Sequence, residues 1–221
     1  MLIEQRSPEW FALRKGKITS SEIYKIMGDA KGKDESLSET AKTYLLEKIA
    51  EKLGGESQAI STAATEWGTD LEDLAVQVYS YRQSVEVQKC SFILKTNFYG
   101  GSPDGLVGTE GTLEIKCPFN SANHLKFSMI NSDAEFKKVK PEYYYQCLSH
   151  MVVTDTKWCD FVSFDPRLDV EYTMSIYRLH RNQEEIDRMW DKLNAASQYM
   201  EEVISKLPKY EQPLEPTVTS E

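Results

Sequence analysis

Apolar residues recur at helical spacing through the first third of the chain. Ser7-Pro8-Glu9-Trp10 predicts a helix start, with Ser7 as N-cap and Pro8 in the first helical position, and Gly16 is placed to end it. Thr19-Ser20-Ser21-Glu22 has the form of a capping box, and Ile23, Ile26 and Met27 give the second helix it predicts an apolar stripe. The polar, glycine-punctuated run 28–34, which carries Lys31 and Lys33, predicts a mobile loop. Ser36-Leu37-Ser38-Glu39 predicts another capped helix, running to Gly54-Gly55 with Leu45, Leu46, Ile49, Ala50 and Leu53 on its buried side. Trp67, Leu71, Leu74, Ala75, Val78 and Tyr81 predict a longer helix over about 62–82.

From Val85 the pattern changes to strands. Val85–Lys95, Thr112–Cys117, Lys157–Asp165 and Val170–Tyr177 are rich in β-branched and aromatic residues and bounded by turn residues. Helices are predicted between the second and third of these, at about 121–131 and 142–153. A closing helix over 183–206 has apolar residues at 186, 189, 190, 193, 200 and 204. Pro208, Pro213 and Pro216 predict an extended or disordered tail over 208–221. The order fits one α/β domain over 1–207, a central mixed sheet flanked by helices.

Composition narrows the class. With 40% apolar and 28% charged residues in 221, the chain can bury a core. No apolar run approaches the ~18 residues of a membrane helix, and Met1–Arg6 has no apolar signal core. Four cysteines at 90, 117, 147 and 159 form no Cys-x-x-Cys pair, which argues against a zinc ribbon and for reduced thiols in the cytoplasm. The net charge of −9 lacks the basic footprint usual for nucleic-acid binders. The charge is uneven, however: residues 1–50 carry nine basic and eight acidic groups, whereas 182–221 carry four and nine.

The chemistry concentrates in Gly100-Gly101-Ser102-Pro103-Asp104-Gly105 and Thr112-Leu113-Glu114-Ile115-Lys116-Cys117-Pro118. Strand alternation puts Glu114 and Lys116 on one face and Leu113, Ile115 and Cys117 on the other. A hairpin between the two stretches would bring Asp104 beside Glu114. Two converging carboxylates supply hard oxygens for Mg²⁺, which activates water and offsets charge on a phosphoryl group. Lys116 could orient or deprotonate that water. Each piece also has an ordinary reading: Glu-x-Lys is commonly a surface ion pair, and Pro-Asp-Gly a turn.

The wider pattern decides between them. Pro103-Asp104 followed after nine residues by Glu114-Ile115-Lys116 resembles the PD-(D/E)xK nuclease superfamily. Trp10-x-x-x-Arg14, Ile18-Thr19-Ser20-Ser21, Trp67-Gly68-x-x-x-Glu72, Ser102-Pro103-Asp104-Gly105, Glu114-Ile115-Lys116-Cys117-Pro118-Phe119 and Gln146 occur in the order of the lambda-exonuclease and YqaJ-type viral recombinase family. The resemblance covers about 7–166, ending at Phe164-Asp165-Pro166-Arg167.

It implies a restriction-endonuclease-like core and a Mg²⁺-dependent 5′→3′ exonuclease on linear double-stranded DNA, preparing 3′ single strand for phage-type recombination. Asp104, Glu114 and the Ile115 carbonyl would hold one Mg²⁺, and Glu72 with Asp104 a second; Mn²⁺ could substitute. Lys116 would activate water and Gln146 position it. Arg14 and Ser21 would bind the terminal 5′-phosphate, with Ser102 and Lys31 as weaker DNA contacts. Ser21 is expected in the first turn of a helix, where free N–H groups attract anions. The resemblance further implies a ring-shaped homotrimer, a single-strand annealing protein as partner, and a phage or prophage protein in the bacterial cytoplasm. Where the family carries an arginine on a DNA-facing loop, this chain has Asp29-Ala30-Lys31-Gly32-Lys33. Rival readings are an endonuclease of the same superfamily, an iron–sulfur nuclease, which the scattered cysteines disfavour, and an inactive DNA-binding module.

Overall fold

The computed structural model describes residues 3–32, 35–56 and 63–210. Helix α1 (Pro8–Arg14) starts as its sequence predicts, the Ser7 hydroxyl accepting the N–H of Trp10. Strand β1 (Ile18–Thr19) and a 3-10 turn (Ile23–Ile26) follow, then helices α2 (Glu39–Lys52) and α3 (Ala63–Gln83). Five short strands come next: β2 (Val87–Gln88), β3 (Ile93–Leu94), β4 (Tyr99–Gly101), β5 (Gly105–Val107) and β6 (Gly111–Lys116). Helices α4 (Ser121–Ser128), α5 (Asp133–Val139) and α6 (Pro141–Thr154) separate β6 from β7 (Trp158–Phe164). A second 3-10 turn (Val170–Tyr172), β8 (Met174–His180) and α7 (Gln183–Lys206) complete the described chain.

The strands form a five-stranded mixed sheet in the order β2-β5-β6-β7-β8 and a three-stranded sheet β1-β4-β3. In the large sheet only β6 and β7 are parallel, as a crossover through α4–α6 requires. The stretch 85–95, predicted as one strand, divides between the sheets: Val87 pairs with Val107, while Ile93 pairs with Gly101. Its partner divides at the same place, β4 and β5 being separated by Ser102-Pro103-Asp104. Pro103 cannot donate to a ladder, and its carbonyl is taken by Gln5 Nε2 at 2.9 Å and Cys90 Sγ at 3.2 Å. Asp104 thus sits at the corner where two strands change sheets together.

The large sheet is covered on both faces. Leu113, Ile115 and Cys117 pack with Ala75 and Tyr79 of α3, and Val162 and Phe164 of β7. The opposite layer is larger, joining Cys159 and Phe161 to α2, α5, α6 and α7. Glu114 and Lys116 do share a face, as predicted, but that face looks at α6 and Glu114 has no exposure.

Other expectations are corrected. The helix predicted after Thr19–Glu22 is one 3-10 turn, because Ile18 and Thr19 pair with Tyr99 and Gly100 and leave too few residues before Gly28 to propagate an α-helix. Helix α2 is capped by Ser38 rather than Ser36. The helix predicted over 121–131 ends at Ser128, and a helix the pattern did not predict follows, where Ser132 accepts the Glu135 N–H while Glu135 reaches back to the Asn131 N–H. On α3 Leu74 and Tyr81 are exposed; Ala75 is buried as predicted, and Tyr79 is buried beside it. Residues 170–172 turn, and the last strand starts at Met174. The closing helix spans 183–206 as predicted, while most of the predicted tail, 211–221, lies outside the described residues.

Candidate active site

The β5–β6 hairpin brings the two central carboxylates together. Gly105 pairs with Leu113, and the Asp104 N–H donates to the Leu113 carbonyl at 3.0 Å. The Asp104 side chain then accepts the Ile115 N–H through Oδ2 at 2.6 Å. Asp104 is therefore located by backbone groups on both sides of Glu114. Burial pushes the Asp104 carboxyl well above the carboxylate range, and the charges of Glu114 and Glu72 push it further. Glu114 moves the other way: burial opposes its ionisation, but Lys116 and His150 more than offset that and hold it below its ordinary value.

Lys116 Nζ lies against Glu114 Oε1 and 4.9 Å from the centre of the Tyr143 ring. Burial disfavours its charge, yet Glu114, Asp104 and Tyr143 together raise its pKa above that of a free lysine. Lys116 also floors an open cleft of about 610 Å³, whose walls include Glu72, Phe119, Lys126 and Tyr143. Glu72, from α3, is held at the rim by Arg6. The far wall is stiffened by Arg167, which grips Asp165 with two nitrogens at 2.8 Å, donates to the carbonyls of Pro118 and Phe119, and stacks 4.5 Å from the Trp67 ring.

Gln146 is buried on α6, and no hydrogen bond joins it to Lys116 among the described residues. One turn later, His150 Nε2 is 2.7 Å from Glu114 Oε2, with both side chains 1% exposed. Sequence reasoning missed this contact. A lone histidine carries no signature, and its only mark is the four-residue step from Gln146.

Arg14 and Ser21 are brought together at the start of the chain. Arg14 Nη2 donates to Ser21 Oγ at 3.3 Å, and its guanidinium lies 4.0 Å from the Trp10 ring centre. Burial lowers the Arg14 pKa, and no carboxylate among the described residues lies within ion-pair distance of it. The nearby acids are engaged elsewhere: Glu22 pairs with Lys25 and Lys48, and Glu51 with Lys48 and the Gly16 N–H. A fork with open donors on an aromatic ring suits an oxyanion. The anion-attracting helix start expected at Ser21 is replaced by the 3-10 turn. Ser102 is buried, its hydroxyl accepting the Trp10 indole N–H at 2.9 Å.

Lys31 is exposed on the loop after Gly28, and Lys33 lies outside the described residues. The neck of this loop is tied to α7. Lys192 Nζ donates to the carbonyls of Gly28 and Ser36 at 3.0 and 2.8 Å, and Arg188 holds the Met27 carbonyl and Asp29.

The donors fit a divalent cation. They are hard oxygens, Glu114 Oε1 is buried with only the Lys116 ammonium against it, and Asp104 is crowded by two other carboxylates. Among the described residues no three His, Cys, Asp or Glu side chains close a cage by themselves, so part of the coordination would fall to the backbone and to water. The cysteines are all buried and unpaired; Cys90 and Cys117 are pushed up to about 12 by burial, which keeps them protonated thiols.

Comparison with known proteins agrees with this arrangement. Residues 9–157 match the model of the YqaJ-like viral recombinase domain. The fold is similar to that of an alkaline exonuclease from Laribacter hongkongensis, LHK-Exo, with 33% identity, a TM-score of 0.75, and coverage of 90% of this chain and 95% of that one. The same protein in complex with dAMP matches at 34% identity, with the same TM-score and coverage. A phage related exonuclease from Haemophilus somnus 129PT shares the fold at 20% identity and a TM-score of 0.74, covering 88% of this chain and 98% of its own. No curated protein matches the chain. With most of the described chain matched, and the acidic pair and lysine at the corner of its sheets, this chain belongs to the YqaJ-like viral recombinase domain family.

Proposed function

We propose that this chain is a Mg²⁺-dependent exonuclease that digests the 5′-ended strand of linear double-stranded DNA, leaving 3′ single strand for recombination by strand annealing. The observation that carries the reading is the junction of Asp104, Glu114 and Lys116, in which two buried carboxylates of opposite pKa shift share one lysine at the floor of a cleft. The relative of 33% identity is an alkaline exonuclease, and its complex with dAMP contains a nucleoside monophosphate, the class of product this reaction releases.

Asp104, Glu114 and the Ile115 carbonyl would hold Mg²⁺, with Glu72 and Asp104 serving a second ion and Mn²⁺ able to substitute. When bound, the cation supplies Lewis acidity toward water and phosphate oxygen. Lys116 Nζ, kept cationic by Glu114 and Asp104, orients the attacking water and counters charge on the phosphate oxygens. Water adds at the phosphorus between the first two nucleotides and the bond to the 3′-oxygen breaks. The terminal nucleotide leaves as a 5′-monophosphate with a protonated 3′-oxygen. The shortened strand then begins with a fresh 5′-phosphate, so Arg14 and Ser21 meet the same group after every step. A homotrimeric ring, a single-strand annealing protein as partner, and a phage or prophage origin in the bacterial cytoplasm complete the proposal.

The test is digestion of one duplex as 5′-phosphorylated linear, 5′-hydroxyl linear and covalently closed circular DNA, each with Mg²⁺ or chelator. Mg²⁺-dependent loss of the phosphorylated linear form, with the circle intact, is expected. Linearised circles would move the chain to the endonuclease reading, and no cleavage of any form would leave a binding module.

A further inference from the structure

His150 has no part in the reading above, yet it touches one of the two central carboxylates. From the face of α6 turned to β6 its Nε2 approaches Glu114 Oε2 to 2.7 Å, and neither side chain is more than 1% exposed. A carboxylate only accepts, so Nε2 carries the proton. Nδ1 is then left inside the protein with no hydrogen-bond partner among the described residues. Buried polar atoms without partners are uncommon and need a reason. Packing alone gives none, since leucine would fill a comparable volume without an orphaned nitrogen.

The reason lies at the other oxygen of Glu114. An unrestrained carboxylate turns about its last bond and can offer either oxygen, or both. Here Oε2 is engaged by His150, while Oε1 has only the Lys116 ammonium beside it. We propose that His150 is a positioning residue: by holding Oε2 it fixes the rotation of Glu114, so that Oε1 alone is presented to a divalent cation shared with Asp104. The inference rests on the two-carboxylate metal reading above. Hydrogen bonds to a ligating carboxylate are the usual means by which outer partners tune metal affinity, and their loss typically weakens binding about 10- to 100-fold.

Three substitutions separate this role from packing. His150→Gln keeps an N–H at nearly the same reach, His150→Leu keeps bulk without a donor, and His150→Asn keeps a donor drawn back from Glu114. Mn²⁺ is titrated into DNA-free protein, and the unbound ion is followed by electron paramagnetic resonance. Thermal unfolding without metal is recorded alongside. Wild type and His150→Gln should bind Mn²⁺ alike, while His150→Leu and His150→Asn bind about 10- to 100-fold more weakly. The Mg²⁺ concentration for half-maximal digestion should rise in the same two variants, with KM for DNA unchanged.

Wild-type Mn²⁺ affinity in a folded His150→Leu would make His150 a packing residue and overturn the inference. His150→Asn decides in the same way if His150→Leu does not fold. Glu114→Gln is the control for the underlying reading. If it binds Mn²⁺ as wild type does, the two-carboxylate site itself fails; if it loses binding while His150→Leu and His150→Asn do not, only the positioning role fails.

Discussion

Arg14 and Trp10 are stacked with 4.0 Å between the guanidinium carbon and the ring centre, and the edge of the same ring donates to Ser102, two residues before Asp104. One indole therefore supports the candidate phosphate pocket with its face and the candidate metal loop with its nitrogen. Trp10→Phe keeps the face and removes the donor, leaving the Ser102 hydroxyl buried without its N–H. A loss of about 1–3 kcal/mol in urea unfolding is expected, and unchanged stability would mean the hydroxyl finds another partner.

Arg14→Ala removes the fork from the pocket. End binding should weaken by about 1.5–3 kcal/mol, the range for a hydrogen bond to a charged group. The loss should fall on 5′-phosphorylated duplex and spare the 5′-hydroxyl form, measured as Kd without catalysis. Equal losses on both ends would remove Arg14 from phosphate recognition.

Lys116→Ala should slow the chemical step about 10²- to 10³-fold, the span typical of losing one positioned donor that counters developing charge. Affinity for DNA should stay near that of wild type. Single-turnover digestion separates the two effects, and a variant with unchanged single-turnover rate would take Lys116 out of the reaction.

The Asp165–Arg167 clamp gives stability a defined pH dependence. Hydrogen bonds from Arg167 hold the Asp165 carboxyl below its ordinary value, against about 3.9 for an unfolded aspartate. A depressed folded pKa contributes stability that is present above the unfolded value and lost as pH falls through the folded one. Asp165→Asn should therefore be less stable than wild type at pH 7, with the gap narrowing as pH drops below about 4. A gap that widens toward acid would contradict the assignment.

Gly101 has no room for a side chain. A Cβ there would come within 2.0 Å of Ser20 Oγ, the end of a buried hydroxyl chain running through Ser149 to Tyr99. Gly101→Ala should destabilise the protein by about 1–3 kcal/mol, as overpacking does. Adding Ser20→Ala, which removes the clashing oxygen, should recover part of the loss in chemical denaturation. Additive losses would place the conflict elsewhere.

Much of this arrangement is legible in the residues. The period of α7 and the caps at Ser7 and Ser38 are local signals, decided within a few positions. Asp104 and Glu114 meet because a short hairpin leaves them no alternative, so alternation along β6 locates both. What failed depended on distant pairing. Ile18 and Thr19 join β4 some eighty positions away, and that contact stops the helix a capping box would have begun. The change of sheet at Ser102–Asp104 likewise has no local signal beyond one proline. His150 is invisible for a related reason: nothing in its neighbourhood along the chain says that Glu114 lies across from it.

Helix α6 is buried at every position from Tyr144 to Val153. Gln146 and His150 lie on it beside β6, Ser149 joins the hydroxyl chain, and Cys147, Leu148 and Met151 fill the larger core. Such a segment has no outside on which variation can accumulate harmlessly. Drift among descendants of this chain should pass it by and collect on α2, α3 and α7, whose outer faces are free to change. An engineer seeking to retune the enzyme would find the same boundary: its loops and rims can be rewritten, but this helix would have to be replaced together with everything it touches.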